Sequence, residues 1–197
     1  MMKKIISWLA LLLVVAMASG CAHPITMNPD LASITGDKSA VIPKSVGYHI
    51  AESAKAIEVT TAGGGGDKVR YFPYRDIEPG FYKALSEAFG SVNRVHDPKD
   101  TGAMANSGIQ LLITPEIKTI SSSESLLTWP PTQFTVDLTC TVTNAQGHAV
   151  DVIRVSGYGQ ATFDEFKTNF SLAAVRASNN ALNLLIKALT ESPKLRH

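Results

Sequence analysis

The sequence predicts an α+β domain, a mainly antiparallel sheet with two helices packed on one face, the C-terminal helix being the longer. Three observations predict it. Apolar and polar residues alternate from about Gln133 to Asn144. They alternate again from His148 to Phe163, after the hairpin signal Asn144-Ala145-Gln146-Gly147. From about Asn169 to Thr190 the apolar residues instead recur at helical spacing.

In the first of these strands Phe134, Val136, Leu138, Cys140 and Val142 share one face. In the second, Ile153, Val155, Gly157, Gly159, Ala161 and Phe163 do so, and the two glycines leave room for a helix to lie close. An earlier strand begins at Ile109, with Leu111, Ile113 and Ile117 in phase; Pro115 marks an edge or a bulge. In the last helix Val175, Leu182, Leu185, Ile186 and Leu189 make one stripe, and Ala173, Ala177, Ala181, Leu184 and Ala188 make a neighbouring one.

The first half of the chain reads less regularly. Val46 to Ile50 is a short strand candidate, and Glu58 to Thr61 is open to the same reading. Gly63 to Gly66 is a loop leading into a strand at Val69 to Phe72. A first helix is expected from Pro79 to Phe89, with proline in its first turn and Gly90 closing its end. Val92 to Val95 is a short strand, and His96 to Ser107 a connection.

The first 20 residues have the layout of an export signal: basic Lys3 and Lys4, an apolar run from Ile5 to Met17, then the small residues Ala18, Ser19 and Gly20 before Cys21. The run is short for a spanning helix, which needs roughly 20 apolar residues. Ala18-Ser19-Gly20-Cys21 resembles the bacterial lipobox, with Ala18 where leucine is commonest. That resemblance implies recognition of Ala18, Ser19 and Gly20 by the lipoprotein signal peptidase, acylation of Cys21, and attachment to a membrane through the lipid. With Ala22 rather than aspartate after the cysteine, it also implies the periplasmic face of the outer membrane.

The expected organisation is a signal peptide over 1–20, a lipidated N-terminus and flexible tether over 21–44, one domain over 45–192 and a tail over 193–197. The tether carries Pro24, Pro29 and Pro43 without periodicity; extended it would reach ~75 Å. Loss of Lys3 and Lys4 takes the 18 basic residues to 16 against 17 acidic ones, so no nucleic-acid partner is expected. Cys140 is left as the single unmodified thiol, with no disulfide partner.

Catalytic patterns are lacking. Lys68 follows the glycine run but is succeeded by Val69 rather than Ser or Thr, so it makes no phosphate loop. The five histidines, His23, His49, His96, His148 and His197, lie at no metal-ligand spacing, and no cofactor or metal is expected. Asp76 and Glu78 are a carboxylate pair suited in principle to acid and base work, and more simply the acidic start of a helix. The aromatic run Tyr71-Phe72-Pro73-Tyr74-Arg75 reads as core packing.

The candidate partner-binding loop is Leu126, Leu127, Trp129, Pro130 and Pro131, apolar residues in a connection between two strands. They are either tucked onto their own domain or presented to an envelope protein or a lipid. The lipobox, the paired strands around Asn144-Ala145-Gln146-Gly147 and the closing helix are together similar to the ABC-type transport auxiliary lipoproteins and the YajG-like lipoproteins. The resemblance implies a non-enzymatic accessory protein linking a transport or assembly system to the outer membrane. The alternative is an envelope enzyme acting on cell wall or glycan. The sequence leaves the oligomeric state open.

Overall fold

Where alternation is unbroken, the chain forms strands of twelve residues each. The computed structural model describes residues 22–61, 68–123 and 131–196. In chain order these form β1 (His23–Pro24), two 3-10 turns (Leu31–Ser33 and Lys38–Ala40), β2 (Ile42–Tyr48), α1 (Glu52–Lys55), β3 (Val59–Thr60), β4 (Val69–Tyr71), α2 (Pro73–Ala88), β5 (Phe89–Arg94) and α3 (Thr101–Asn106). Then follow β6 (Leu111–Ser122), β7 (Gln133–Asn144), β8 (Ala149–Gln160), α4 (Phe163–Thr168), α5 (Leu172–Glu191) and α6 (Pro193–Arg196).

The fold is α+β, and its main sheet is mixed. Its strand order is β5-β2-β6-β7-β8. β6, β7 and β8 form the antiparallel ladder, while β2 runs parallel to both β5 and β6. A second sheet, β1-β4-β3, joins the two ends of the irregular first half. Pro115 sits where β2 has stopped pairing with β6, beyond Ile113. Two residues on, Ile117 N–H turns away from β7 and donates to Tyr74 Oη at 3.1 Å. The amide that proline lacks would point to that same open side, so the ladder with β7 is intact.

α5 lies on β7 and β8, and α2 packs beside it towards β5 and β6. The fit with β8 depends on Gly157 and Gly159. A Cβ at either position would come less than 3.0 Å from backbone atoms of α5, at Ala177 and Ala181 for Gly157 and at Ala173 and Ala177 for Gly159. The alanine stripe meets the glycines, and Leu182, Leu185 and Leu189 are wholly buried.

Several elements depart from the expected boundaries. α2 starts at Pro73, not Pro79. Pro73 is the proline in the first turn, where no N–H is needed, and Pro79 lies inside the helix. An internal proline costs about 3 kcal/mol, and the complete burial of Ile77, Phe81, Ala84 and Leu85 outweighs it. Nor does Gly90 end the helix, since Phe89 caps it and Gly90 already belongs to β5. Phe163 does not continue β8: it is 55% exposed and opens α4. There Thr162 and Glu165 form a reciprocal capping box, which turns the chain out of the sheet.

The largest correction concerns 22–44, expected as a tether. Ile25, Met27, Ile34 and Ile42 are buried in the main core. Lacking periodicity, the segment satisfies its backbone with side chains of the two long helices. Asn179 Oδ1 accepts from Asp30 N–H at 2.9 Å, Asn183 Oδ1 from Thr35 N–H at 3.2 Å, and Asn183 Nδ2 donates to Ser33 O at 3.1 Å. Asp76 of α2 accepts from Met27 N–H at 3.2 Å. The 193–196 stretch is likewise no loose tail: Leu195 is buried, and Arg196 donates to Ala40 O at 2.9 Å.

Gly157→Val should lower stability by more than about 2 kcal/mol, because the new methyls meet helix backbone and not a side chain that can swing away. Leu182→Asp or Leu185→Asp should unfold the domain, losing roughly 1.5 to 3 kcal/mol of burial and adding an unpaired charge. Urea denaturation followed by circular dichroism measures all three.

Candidate functional site

Cys21 and the preceding Ala18, Ser19 and Gly20 lie outside the described residues, as do Leu126, Leu127, Trp129 and Pro130. What surrounds both places is described. The described residues begin at Ala22, and His23 N–H donates to Lys68 O at 2.7 Å as β1 joins β4. The His23 ring stacks on Phe170, centroids 5.1 Å apart, and Phe170 lies 4.9 Å from Phe166. Thr26 N–H donates to Ser171 Oγ at 3.2 Å. The entering chain therefore sits at the junction of α4 and α5.

Pro131, the described member of the apolar loop, is buried. Its neighbour Thr132 accepts from Ala161 N–H at 2.8 Å, which fixes the returning stem of the loop to the end of β8. The outgoing stem is held by Ser122 Oγ, 3.1 Å from Gln133 Oε1. Tyr71, from the aromatic run, is 1% exposed, packs edge-on against Phe134 at 5.2 Å and bonds Thr119 Oγ1 at 2.9 Å. Phe72 stacks beneath Arg75, whose guanidinium lies 3.8 Å from the ring centroid.

The structure separates Asp76 from Glu78. Asp76 turns to Met27 N–H and to Arg75 Nε at 3.2 Å. Glu78 turns to Lys55 Nζ at 2.6 Å, with Arg94 Nε at 3.5 Å and Tyr48 Oη at 3.4 Å. Glu52 completes this alternating network, paired with Arg94 and with Lys55 at 3.4 Å. Burial first, then the Glu78 carboxylate, pushes Tyr48 up to about 12, so its phenol stays neutral at physiological pH. Sequence spacing marked the carboxylates but could not reveal that they face different elements.

Cys140 is fully buried, and burial pushes its thiol up to about 12. A thiol in that state is no nucleophile. His49 Nδ1 lies 2.9 Å from Val95 O. Among the described residues no group of three or more His, Cys, Asp or Glu side chains is placed to hold a metal ion, and no helix is long and apolar enough to cross a membrane.

A cleft of about 230 Å³ opens between the end of β5 and α3, with Arg94, His96, Asp97 and Asp100 at its walls and Met104 and Ile109 below. Its floor belongs to a small satellite core of Val95, Met104, Ile109 and Leu112. The sheet face turned away from the helices carries cross-strand partners of mixed sign: Lys118 opposite Asp137, which is opposite Ser156, and Glu116 opposite Thr139, which is opposite Arg154. Such surfaces can hold a partner by polar contacts; none assembles a nucleophile beside a base.

No family model matches the chain, and no curated protein matches it. Among solved structures it is similar to the Xanthomonas campestris protein XCC0632 of the DUF330 family, at 11% identity and a TM-score of 0.43, over 86% of this chain and 92% of that one. It is also similar to PelC of Paraburkholderia phytofirmans, solved as a dodecamer, at 14% identity and a TM-score of 0.39, over 83% and 94%. A third is a candidate lipoprotein of Caulobacter crescentus, at 10% identity and a TM-score of 0.36, over 81% and 91%. The functional reading rests on the chain's own residues.

Glu87 shows how the site's surroundings are held. It receives Lys38 Nζ at 2.6 Å, Lys83, and Gly36 N–H at 3.2 Å, and these hold its carboxyl down to about 2. The folded value lies below the ordinary one, so the stabilisation is complete above about pH 4.5 and is lost as pH falls through about 2. With Lys38 exposed to screening solvent, Glu87→Gln should cost on the order of 1 to 2 kcal/mol at pH 7. The gap from wild type should close towards pH 2 in denaturation curves taken across that range.

Proposed function

We propose that the chain is the precursor of an envelope lipoprotein, acylated on Cys21 and facing the periplasm from the outer membrane. The mature domain acts there as a non-catalytic binding or adaptor component in envelope maintenance, transport or assembly. One observation carries this reading: an apolar run with a basic start ends in Ala18-Ser19-Gly20 directly before Cys21. Two or three acyl chains, at ~0.8 kcal/mol for each buried CH2, make such an anchor effectively permanent.

The polar groups support the non-catalytic part. Glu52, Lys55, Glu78 and Arg94 neutralise one another, Glu87 is enclosed by two lysines, and Cys140 is sealed in the core. What is left outward is contact surface: the mixed-sign sheet face and the cleft at Arg94.

Metabolic labelling with a tagged fatty acid should mark the wild-type protein and not Cys21→Ser; equal labelling of both overturns the anchor. Trp129→Ala should recover fewer envelope proteins from crosslinked cells at an unchanged melting temperature. An unchanged yield removes the loop from the binding surface.

A further inference from the structure

We infer that the end of the domain formed by His23, Phe163, Lys167 and Phe170 is a lipid-docking surface, seated in the head-group layer of the membrane that holds the Cys21 anchor. The inference rests on the reading of Cys21 as acylated. Its geometric basis is the packing of the entering chain. Because residues 22–44 are bound to the domain, no slack lies between anchor and fold. Cys21 is two residues from His23, at most about 7 Å along an extended chain. His23 is itself pinned by its bond to Lys68 and by its stack on Phe170. The described chain therefore begins beside the Phe170 ring, two residues in sequence from the proposed acylation site.

α4 gives this end its chemistry. Its capping box fixes where the helix begins, and Phe166, 4% exposed, fixes its rotation by entering the core. Phe163, the first residue of the helix, is 55% exposed, and Phe170, 38% exposed, follows its other end. Tyr82 and Tyr158 are exposed elsewhere too, but among the described residues only this end places two exposed phenylalanine rings around one short helix beside the start of β1, the kind of apolar grouping an interfacial surface uses. Lys167 Nζ lies 4.9 Å from the Phe163 ring centroid, an arrangement that leaves the ammonium and its Asp164 partner at the level of the head groups while the ring enters the acyl boundary.

The carboxylates of this end do not oppose an anionic bilayer, since each has a cation. Asp164 is 2.8 Å from Lys167 Nζ, and Glu165 is 2.9 Å from Arg176 Nη2. The occupant is thus a lipid surface, favoured by the two exposed rings, the balanced charge and the two-residue separation in sequence between His23 and the proposed anchor.

The test uses the mature lipidated protein in vesicles of phosphatidylethanolamine and phosphatidylglycerol, with and without nitroxide-labelled phosphatidylcholine. Single cysteines for an environment-sensitive fluorophore are introduced as Phe163→Cys, Lys167→Cys and, in the turn at the far end of β7 and β8, Gln146→Cys. Cys140 is buried and stays unlabelled in folded protein, so one label per chain certifies the fold. If Phe163→Cys fails that check, Lys167→Cys, an exposed position, carries the measurement.

Nitroxide should remove more than about half of the fluorescence at 163 and 167 and leave 146 unaffected, matching burial ~5–10 Å into the interface. Protein that floats with the vesicles but shows no quenching at 163 or 167 overturns the docking surface and leaves the anchor standing. Protein that does not float overturns both. A concentration-dependent shift of the label without vesicles, and no quenching with them, assigns the surface to a second copy of the chain and overturns the lipid occupant.

Discussion

Backbone contact between β8 and α5 is the constraint on which the rest of the structure depends. With only hydrogen on the Cα of Gly157 and Gly159, the helix backbone descends to van der Waals contact with the strand. The alanines at 173, 177 and 181 then have the only side-chain size that fits beneath it. Once that face is fixed, helical spacing does the rest. Leu182, Leu185 and Leu189 point into the core shared with α2, and Asn179 and Asn183 turn towards the entering chain.

That second consequence explains how a segment without regular structure is held firmly. A buried backbone must find partners for its N–H and C=O groups. Residues 25–42 find them on other elements: Ser171 just before α5, Asn179 and Asn183 from α5, Asp76 and Glu87 from α2, and Arg196 from the last turn. Four buried apolar side chains, Ile25, Met27, Ile34 and Ile42, supply the burial that accompanies those bonds. The segment is a wrap over two helices, and its order is borrowed from them.

How much of this is legible in the sequence follows from whether a signal is local. β7 occupies Gln133–Asn144 as its alternation predicts, and the hairpin closes through Gly147 N–H to Asn144 O at 2.9 Å. The closing helix and the glycine seat beneath it are equally visible, because period and residue size are written along the chain. β2 is harder: buried from both sides near Val46 and Tyr48, it shows no clean alternation, and its start at Ile42 is missed by four residues. The capping box at Thr162 and Glu165 was readable, but the apolar alternation of β8 carries on through Phe163 and masks it. The wrap of residues 22–44 is invisible for another reason. Its partners lie about 150 residues away, at Asn179 and Asn183, and no period links an asparagine to a distant amide. For the candidate sites, the sequence marked Asp76 and Glu78 as a pair, whereas direction along a helix surface sent one to the wrap and the other to Lys55.

The two described ends of the polypeptide are fixed at opposite ends of β8. Ser192 and Lys194 bond Asp151 at the start of β8, whereas His23 lies by Phe170, and Arg176 of the same helix reaches Gln160 at its finish. Entry and exit are thus separated by most of the length of β8, roughly 30 Å from Asp151 to Gln160. A fluorescent protein or affinity handle appended beyond Arg196 would project from the pole opposite Ala22, so a reporter can be carried there without crowding the side on which His23 and Phe170 lie.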